Sequence, residues 1–308
     1  MLYGFIIITI MGMLYDRFQR KYARENRIQE SELIQEYLLN REKKSGRPII
    51  WVYLDKRPNT RHWSSFQDRA STSLNQPYLF LTVKSIIEQA GNDYDVCLID
   101  AGSFEKLLPS WTINIASVSE PMRHQLVHLA SLKVVREWGG YFVPASYLAL
   151  KPLKNILENG DAIVGCEYIN GVRSSLEWVG AKYPQHPTIV EMSREMEQID
   201  ETDDGRFTNR ISVICDNHIK AGHINVISPE KIGVTYRDNY GMERETTVEE
   251  LLGQHFIYDG DFDDELQGIY IPQKRVLESV EHGWFSRSSP RQIIESDFLL
   301  AKYFTIIN

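Results

Sequence analysis

A polar stretch, KRPNTRHWSSFQDRASTSLNQP, carries the densest set of side chains that could do chemistry: Asn59, Arg61, Trp63, Phe66, Arg69 and Asn75. The guanidinium groups of Arg61 and Arg69 can receive a diphosphate through charge-assisted hydrogen bonds without a metal ion, and the Trp63 ring can stack on a base or a sugar. The plainer alternative is a packed loop whose arginines pair with local acids. Asp100 ends an apolar run and is a candidate catalytic or binding acid. Glu120 and Arg123 place an acid and a base one turn apart, and also read as a charge pair at a helix start. His218 and His223 lie late in the chain without an evident carboxylate partner and read as surface or packing residues, whereas His282 is a candidate ligand or phosphate contact. The run Asp259, Asp261, Asp263, Asp264 and Glu265 could hold a cation, but it lacks calcium-loop spacing and reads better as a solvated loop. Asp203-Asp204-Gly205 is a turn. Cys97, Cys166 and Cys215 share no metal-ligand spacing, and an odd, widely spaced set fits buried thiols in a reducing compartment better than a disulfide framework.

These residues must be positioned by the elements around them. Ile49 to Leu54 reads as a buried strand, and Pro77 opens a helix that runs to Ala90 and stops at Gly91-Asn92-Asp93. Tyr94 to Ile99 is a second strand, ending at Asp100. A short helix follows from Gly102 to Leu108, and a longer one from Glu120 to Trp138 stops at Gly139-Gly140. Tyr141 to Val143, Asp161 to Tyr168 and Asn225 to Ile227 read as strands, and His186 to Ile199 and Phe207 to Lys220 as helices. The remaining C-terminal part reads as irregular up to a closing helix from Pro290 to Tyr303. Strands alternating with helices predict an α/β fold with a mainly parallel sheet covered on both faces. Ligands of such sheets sit beyond the carboxyl ends of the strands, where Asp100 and the segment after Val143 lie.

The chain has 308 residues, 43% hydrophobic, 25% charged and 11% aromatic. That is too apolar for disorder and too polar for a multispan membrane protein. A formal net charge of −8 excludes phosphate-backbone binding as the main task, so no nucleic-acid partner is expected. Leu2 to Tyr15 is apolar and uncharged but reaches only about 21 Å as a helix, against a hydrocarbon core of roughly 30 Å. Arg17, Arg20, Lys21, Arg24 and Arg27 follow at once, which places the body on the cytoplasmic side of a membrane. Residues 1–15 are therefore expected to be a membrane anchor, 16–46 a helical stalk and 47–308 one compact domain.

The segment HLASLKVVREWGGYFVPASYLALKPL, from His128 to Leu153, resembles the core of the capsular polysaccharide synthesis proteins and the related family 32 glycosyltransferases. That family's pattern is a helix with Asp-x-x-Arg, then Gly-Gly-x-Tyr-x-Asp-x-Asp, then Pro-Leu. Here Gly139-Gly140, Phe142 and Pro152-Leu153 match, and His282-Gly283-Trp284 is similar to the family's late His and Trp. The blocks NTRHWSSF, LNQPYLFL and LLPSW also resemble proteins of large DNA viruses of algae and protists. The resemblance implies a GT-A-like nucleotide-sugar-binding fold, with donor contacts among Asn59, Arg61, Trp63, Arg69, Asn75, Asp100, Gly139, Gly140, His282 and Trp284. The paired aspartates, however, fall on Pro144 and Ser146, and the helix Asp and Arg fall on His128 and Ser131. The paired carboxylates would hold Mn²⁺ or Mg²⁺ against the diphosphate, and neither a proline nor a neutral hydroxyl replaces them.

No metal or other cofactor is therefore expected, except Mn²⁺ or Mg²⁺ if the site still turns over. The leading expectation is a non-catalytic, membrane-anchored scaffold with protein partners, possibly a virion or minor capsid component. The competing ones are an active glycosyltransferase acting from a nucleotide sugar on a glycan, lipid or protein, and a sugar- or nucleotide-binding module without turnover.

Overall fold

The computed structural model describes residues 46–55, 76–108, 110–118, 122–168, 171–198, 204–238, 240–254 and 265–307. The expected anchor, the stalk, the polar loop with Asn59, Arg61, Trp63, Phe66, Arg69 and Asn75, and the Asp259–Asp264 run lie outside them. Among the described residues no helix is long and apolar enough to cross a membrane.

In chain order the elements are β1 (Ile49–Tyr53), α1 (Tyr78–Ala90), β2 (Asp95–Ile99), α2 (Ser103–Leu107), α3 (Met122–Trp138), β3 (Gly140–Phe142), β4 (Tyr147–Ala149), α4 (Lys154–Leu157), β5 (Ala162–Tyr168) and β6 (Val172–Ala181). They continue as α5 (Pro187–Glu197), α6 (Asp204–Lys220), β7 (Asn225–Val226), β8 (Thr235–Arg237), β9 (Glu243–Glu245), α7 (Val248–Leu251), β10 (Gly268–Tyr270), α8 (Gln273–Glu278), α9 (Pro290–Ile294) and α10 (Leu299–Ile307).

The central sheet has the order β2-β1-β3-β6-β5-β7. β1 pairs parallel with β2 and β3, and β5 parallel with β7, while β6 runs antiparallel to both its neighbours. The mainly parallel α/β architecture is thus present, with one reversed strand. Strand alternation splits the core into two layers. Ile50, Val52, Leu98, Tyr141 and Ile163 face one side with α1, α9 and α10. Trp51, Ile99, Phe142, Val164 and Val179 face the other with α3, α5 and α6.

Three parts of the sequence reading need correction. β6, a ten-residue strand, was not expected. The region read as irregular contains a β8–β9 hairpin, and β10 pairs antiparallel with β4 more than a hundred residues earlier in a second small sheet. The closing helix is two helices, because the chain between them is tied elsewhere: the Leu299 amide donates to the Gly253 carbonyl.

Candidate functional site

The carboxyl ends of β1, β2, β3 and β5 all open onto one edge of the sheet. Because β6 is antiparallel, its beginning lies at that same edge. α3 delivers its last residue to the start of β3, so its first two turns also reach the carboxyl edge. Asp55, Asp100, Pro144, Glu167, Glu177 and the pair His124 and His128 are thereby gathered from six separate places in the chain.

At the positions matching the aspartate pair, the backbone is packed and its acceptors are used. Pro144, Ala145 and Ser146 are all buried. The Tyr147 amide donates to the Pro144 carbonyl, the Thr82 hydroxyl to Ala145 at 2.5 Å, and the Ile271 amide to Ser146 at 3.1 Å. A hard cation needs anionic oxygen ligands, and this buried turn carries no carboxylate while its three carbonyls already accept hydrogen bonds.

The expected donor contacts are only partly brought together. Asp100 is at the edge, but its carboxylate accepts from the Ser103 amide at 3.1 Å and the Ser103 hydroxyl at 2.8 Å, which starts α2. Gly139 and Gly140 lie at the opposite end, where the chain enters β3. Both have positive φ, 68° and 86°, and a Cβ at Gly140 would meet the Ile49 carbonyl oxygen at 2.3 Å. Gly140 therefore lets β3 lie against β1, and Gly139 lets the chain pass the backbone of Tyr183 and Pro184, where a Cβ would stand 3.0 Å from the Pro184 nitrogen. His282 Nε2 stands 3.4 Å from a Glu249 oxygen but out of hydrogen-bonding alignment. Trp284 packs edge-on against Phe285 and Phe298, and Phe285 stacks on Tyr78 at the start of α1.

Two expectations about charged groups change. Glu120, the expected partner of Arg123, lies outside the described residues; Arg123 donates to the carbonyls of Ala116 and Val118, with Asp55 at 3.7 Å. His218 does face carboxylates: Glu195 is at 3.5 Å, and Glu191 and His223 complete a second group with it. The three cysteines are free, with Cys166 and Cys215 buried and Cys97 partly so.

The arrangement that the sequence reading missed is His124, His128 and Glu177. His124 and His128 are four apart on α3 and so stand one above the other on one face. Their rings meet edge-on at 4.3 Å, with the two Nε2 atoms 3.2 Å apart. Glu177 Oε1 lies 3.3 Å from His124 Nε2 and 3.9 Å from His128 Nε2. Glu177 reaches them because the β5–β6 ladder slips: Val164 faces Val179 but Gly165 faces Ser175, which leaves Leu176, Glu177 and Trp178 without partners on β5. Gly165 permits this, since a Cβ there would stand 2.5 Å from the Trp178 side chain lying across it.

Burial lowers the His128 pKa to about 4, aided by neighbouring His124 and opposed by Glu177 and a hydrogen bond to the Leu176 backbone. Burial alone would raise the Glu177 carboxyl, but the His124 hydrogen bond and the two imidazoles outweigh it and hold the carboxyl below its usual range. Glu167 is pushed up by burial and by Glu177. Near neutral pH the edge therefore presents a neutral His128 beside an ionised Glu177, groups that can ligate a metal or relay a proton. Of this set, the i, i+4 histidine pair was legible in the sequence, and Glu177 was not. The hydroxyls of Tyr78 and Tyr147 and the Trp178 Nε1 are among the buried polar atoms with no hydrogen-bond partner among the described residues.

Comparison with protein families and with curated proteins gave no match to this chain.

Proposed function

We propose that this chain is a non-catalytic protein of the glycosyltransferase type, held at a membrane through residues 1–15 and acting as a scaffold or structural component of the kind found in a virion. The observation that carries the reading is the state of the turn from Pro144 to Ser146. Its side chains have no charge, its residues are buried, and its three carbonyls already accept hydrogen bonds. A pyrophosphate leaving group needs positive charge held opposite it, and a divalent ion cannot be held at such a turn. The mainly parallel sheet covered on both faces is compatible with a nucleotide-sugar fold, so the framework would persist after the chemistry has gone.

The decisive experiment offers the purified full chain a panel of nucleotide sugars with Mn²⁺ or Mg²⁺. The expected outcome is no hydrolysis, no transfer and no saturable thermal shift. Turnover that disappears in Asp100→Asn while the fold is kept would establish the active-transferase reading instead. Saturable binding without product would establish the binding-module reading. Vesicle flotation of the full chain against a form lacking residues 1–15 tests the anchor, which predicts that only the full chain floats.

A further inference from the structure

We propose that His124, His128 and Glu177 form a three-ligand site for a divalent transition metal of the zinc class, with a fourth position open to solvent. The site tethers α3 to the β5–β6 hairpin. It does not depend on the preceding reading, because it concerns a metal held by imidazole and not a cation held against a diphosphate.

The distances carry the argument. Zinc binds imidazole nitrogen and carboxylate oxygen at about 2.0–2.2 Å, so ligand atoms around a tetrahedral ion stand roughly 3.3–3.5 Å apart. The three ligand-atom separations here are 3.2, 3.3 and 3.9 Å. A shift of a few tenths of an ångström in one side chain would equalise them.

The ligand types point the same way. Two imidazoles and one carboxylate suit zinc and its neighbours, whereas magnesium and calcium select oxygen ligands. Two histidines and one carboxylate are also a common ligand set at zinc sites that keep a position open.

The surroundings support a held geometry. The His128 side chain is only 9% exposed and its ring is tied to the Leu176 backbone. With Nε2 turned to His124 and Glu177, the other ring nitrogen is the one available to Leu176, the kind of support that orients a metal-binding histidine. Glu177 is fixed by the slipped register at Gly165. The His124 side chain is 55% exposed, which gives the ion an entry path and leaves room for a water as fourth ligand.

The second group, Glu191, His218 and His223, serves as the internal control, since two of its three members are exposed. The experiment takes the full chain after EDTA treatment and titrates it with Co²⁺, then displaces the cobalt with Zn²⁺ while following the visible spectrum and metal content. The expected result is one equivalent bound, with the intense absorption of tetrahedral cobalt bleached by zinc. His124→Ala, at an exposed position, and Glu177→Gln should each weaken zinc binding by at least roughly tenfold. His223→Ala should leave it unchanged. Failure of the wild-type chain to bind an equivalent would overturn the proposal. So would a weak octahedral cobalt spectrum, unchanged affinity in His124→Ala, or loss of binding in His223→Ala. Should Glu177→Gln fail to fold by circular dichroism, His124→Ala alone decides.

Discussion

Gly140→Ala separates a fold-making role of the double glycine from a ligand-binding one. Gly140 has φ of 86°, and the added Cβ would stand 2.3 Å from the Ile49 carbonyl oxygen and 3.0 Å from the Trp51 Nε1. Neither neighbour can withdraw cheaply. Ile49 belongs to β1, which is paired on both sides, and Trp51 is buried with its Nε1 donating to the Gly139 carbonyl at 2.9 Å. Positive φ costs a non-glycine residue about 1–2 kcal/mol. Forcing an extra carbon into a packed site adds about 1–3 kcal/mol. The variant should therefore lose about 2–5 kcal/mol, enough to lower the melting temperature by roughly 5–15 °C for a domain of this size. Gly222→Ala is the matched control, with φ of 72° and nothing within 4 Å of its Cβ, so only the conformational part applies, about 1–2 kcal/mol. The assay is urea unfolding of both variants beside the wild-type chain, followed by circular dichroism. Equal losses in the two variants would refute the close approach of β3 to β1 as the reason for a glycine at this position.

Restoring the aspartates with Pro144→Asp and Ser146→Asp together should destabilise the chain by about 3 kcal/mol or more, because each new carboxylate enters a buried turn without a partner. Calorimetry with Mn²⁺ should show no binding in the double variant, and tight binding there would count against the closed-turn argument. Arg123→Ala should cost about 3 kcal/mol in urea unfolding, since its buried guanidinium holds the Ala116 and Val118 carbonyls. A loss below about 1 kcal/mol would place its role elsewhere. Burial pushes the Cys97, Cys166 and Cys215 thiols up to about 12, so the folded chain keeps their protons longer than the unfolded chain, whose thiols titrate near their ordinary value of 9.0. The stability these thiols contribute is complete below pH 9 and is lost as pH rises from 9 toward 12. The urea midpoint should accordingly fall between pH 8 and pH 10.5, and native thiols should react with a disulfide reagent at pH 8 far more slowly than unfolded ones.

The sequence by itself determined most of the framework. The apolar run IIWVY is buried because β1 sits between two strands of a doubly covered sheet, and its alternation assigns Ile50 and Val52 to one face and Trp51 to the other. A proline start at Pro77 and a glycine stop at Gly91 bounded α1, and the stop at Gly139-Gly140 gave the end of α3 at Trp138. The absence of charge at Pro144 and Ser146 was also plain, because a side chain's formal charge needs no coordinates. So was the His124–His128 spacing, once α3 was recognised as a helix.

Only the tertiary structure decided the rest. The segment VRSSLEWVGA has charged residues at Arg173 and Glu177 and no alternation, and it becomes a strand because β3 and β5 hold it between them. Glu177 meets histidines roughly fifty residues earlier only through that pairing and its slipped register, and no local pattern encodes such a meeting. Asp100 follows β2 at the strand end where the sequence puts it, and its carboxylate accepts from the Ser103 amide and hydroxyl, a contact that the three-residue spacing could have suggested. Which strand runs backwards, which glycine sits at the wrong end for a ligand, and which carboxylate joins the histidines all follow from long-range packing. Residues distant in the chain supply the energy for those contacts, so the local sequence cannot announce them.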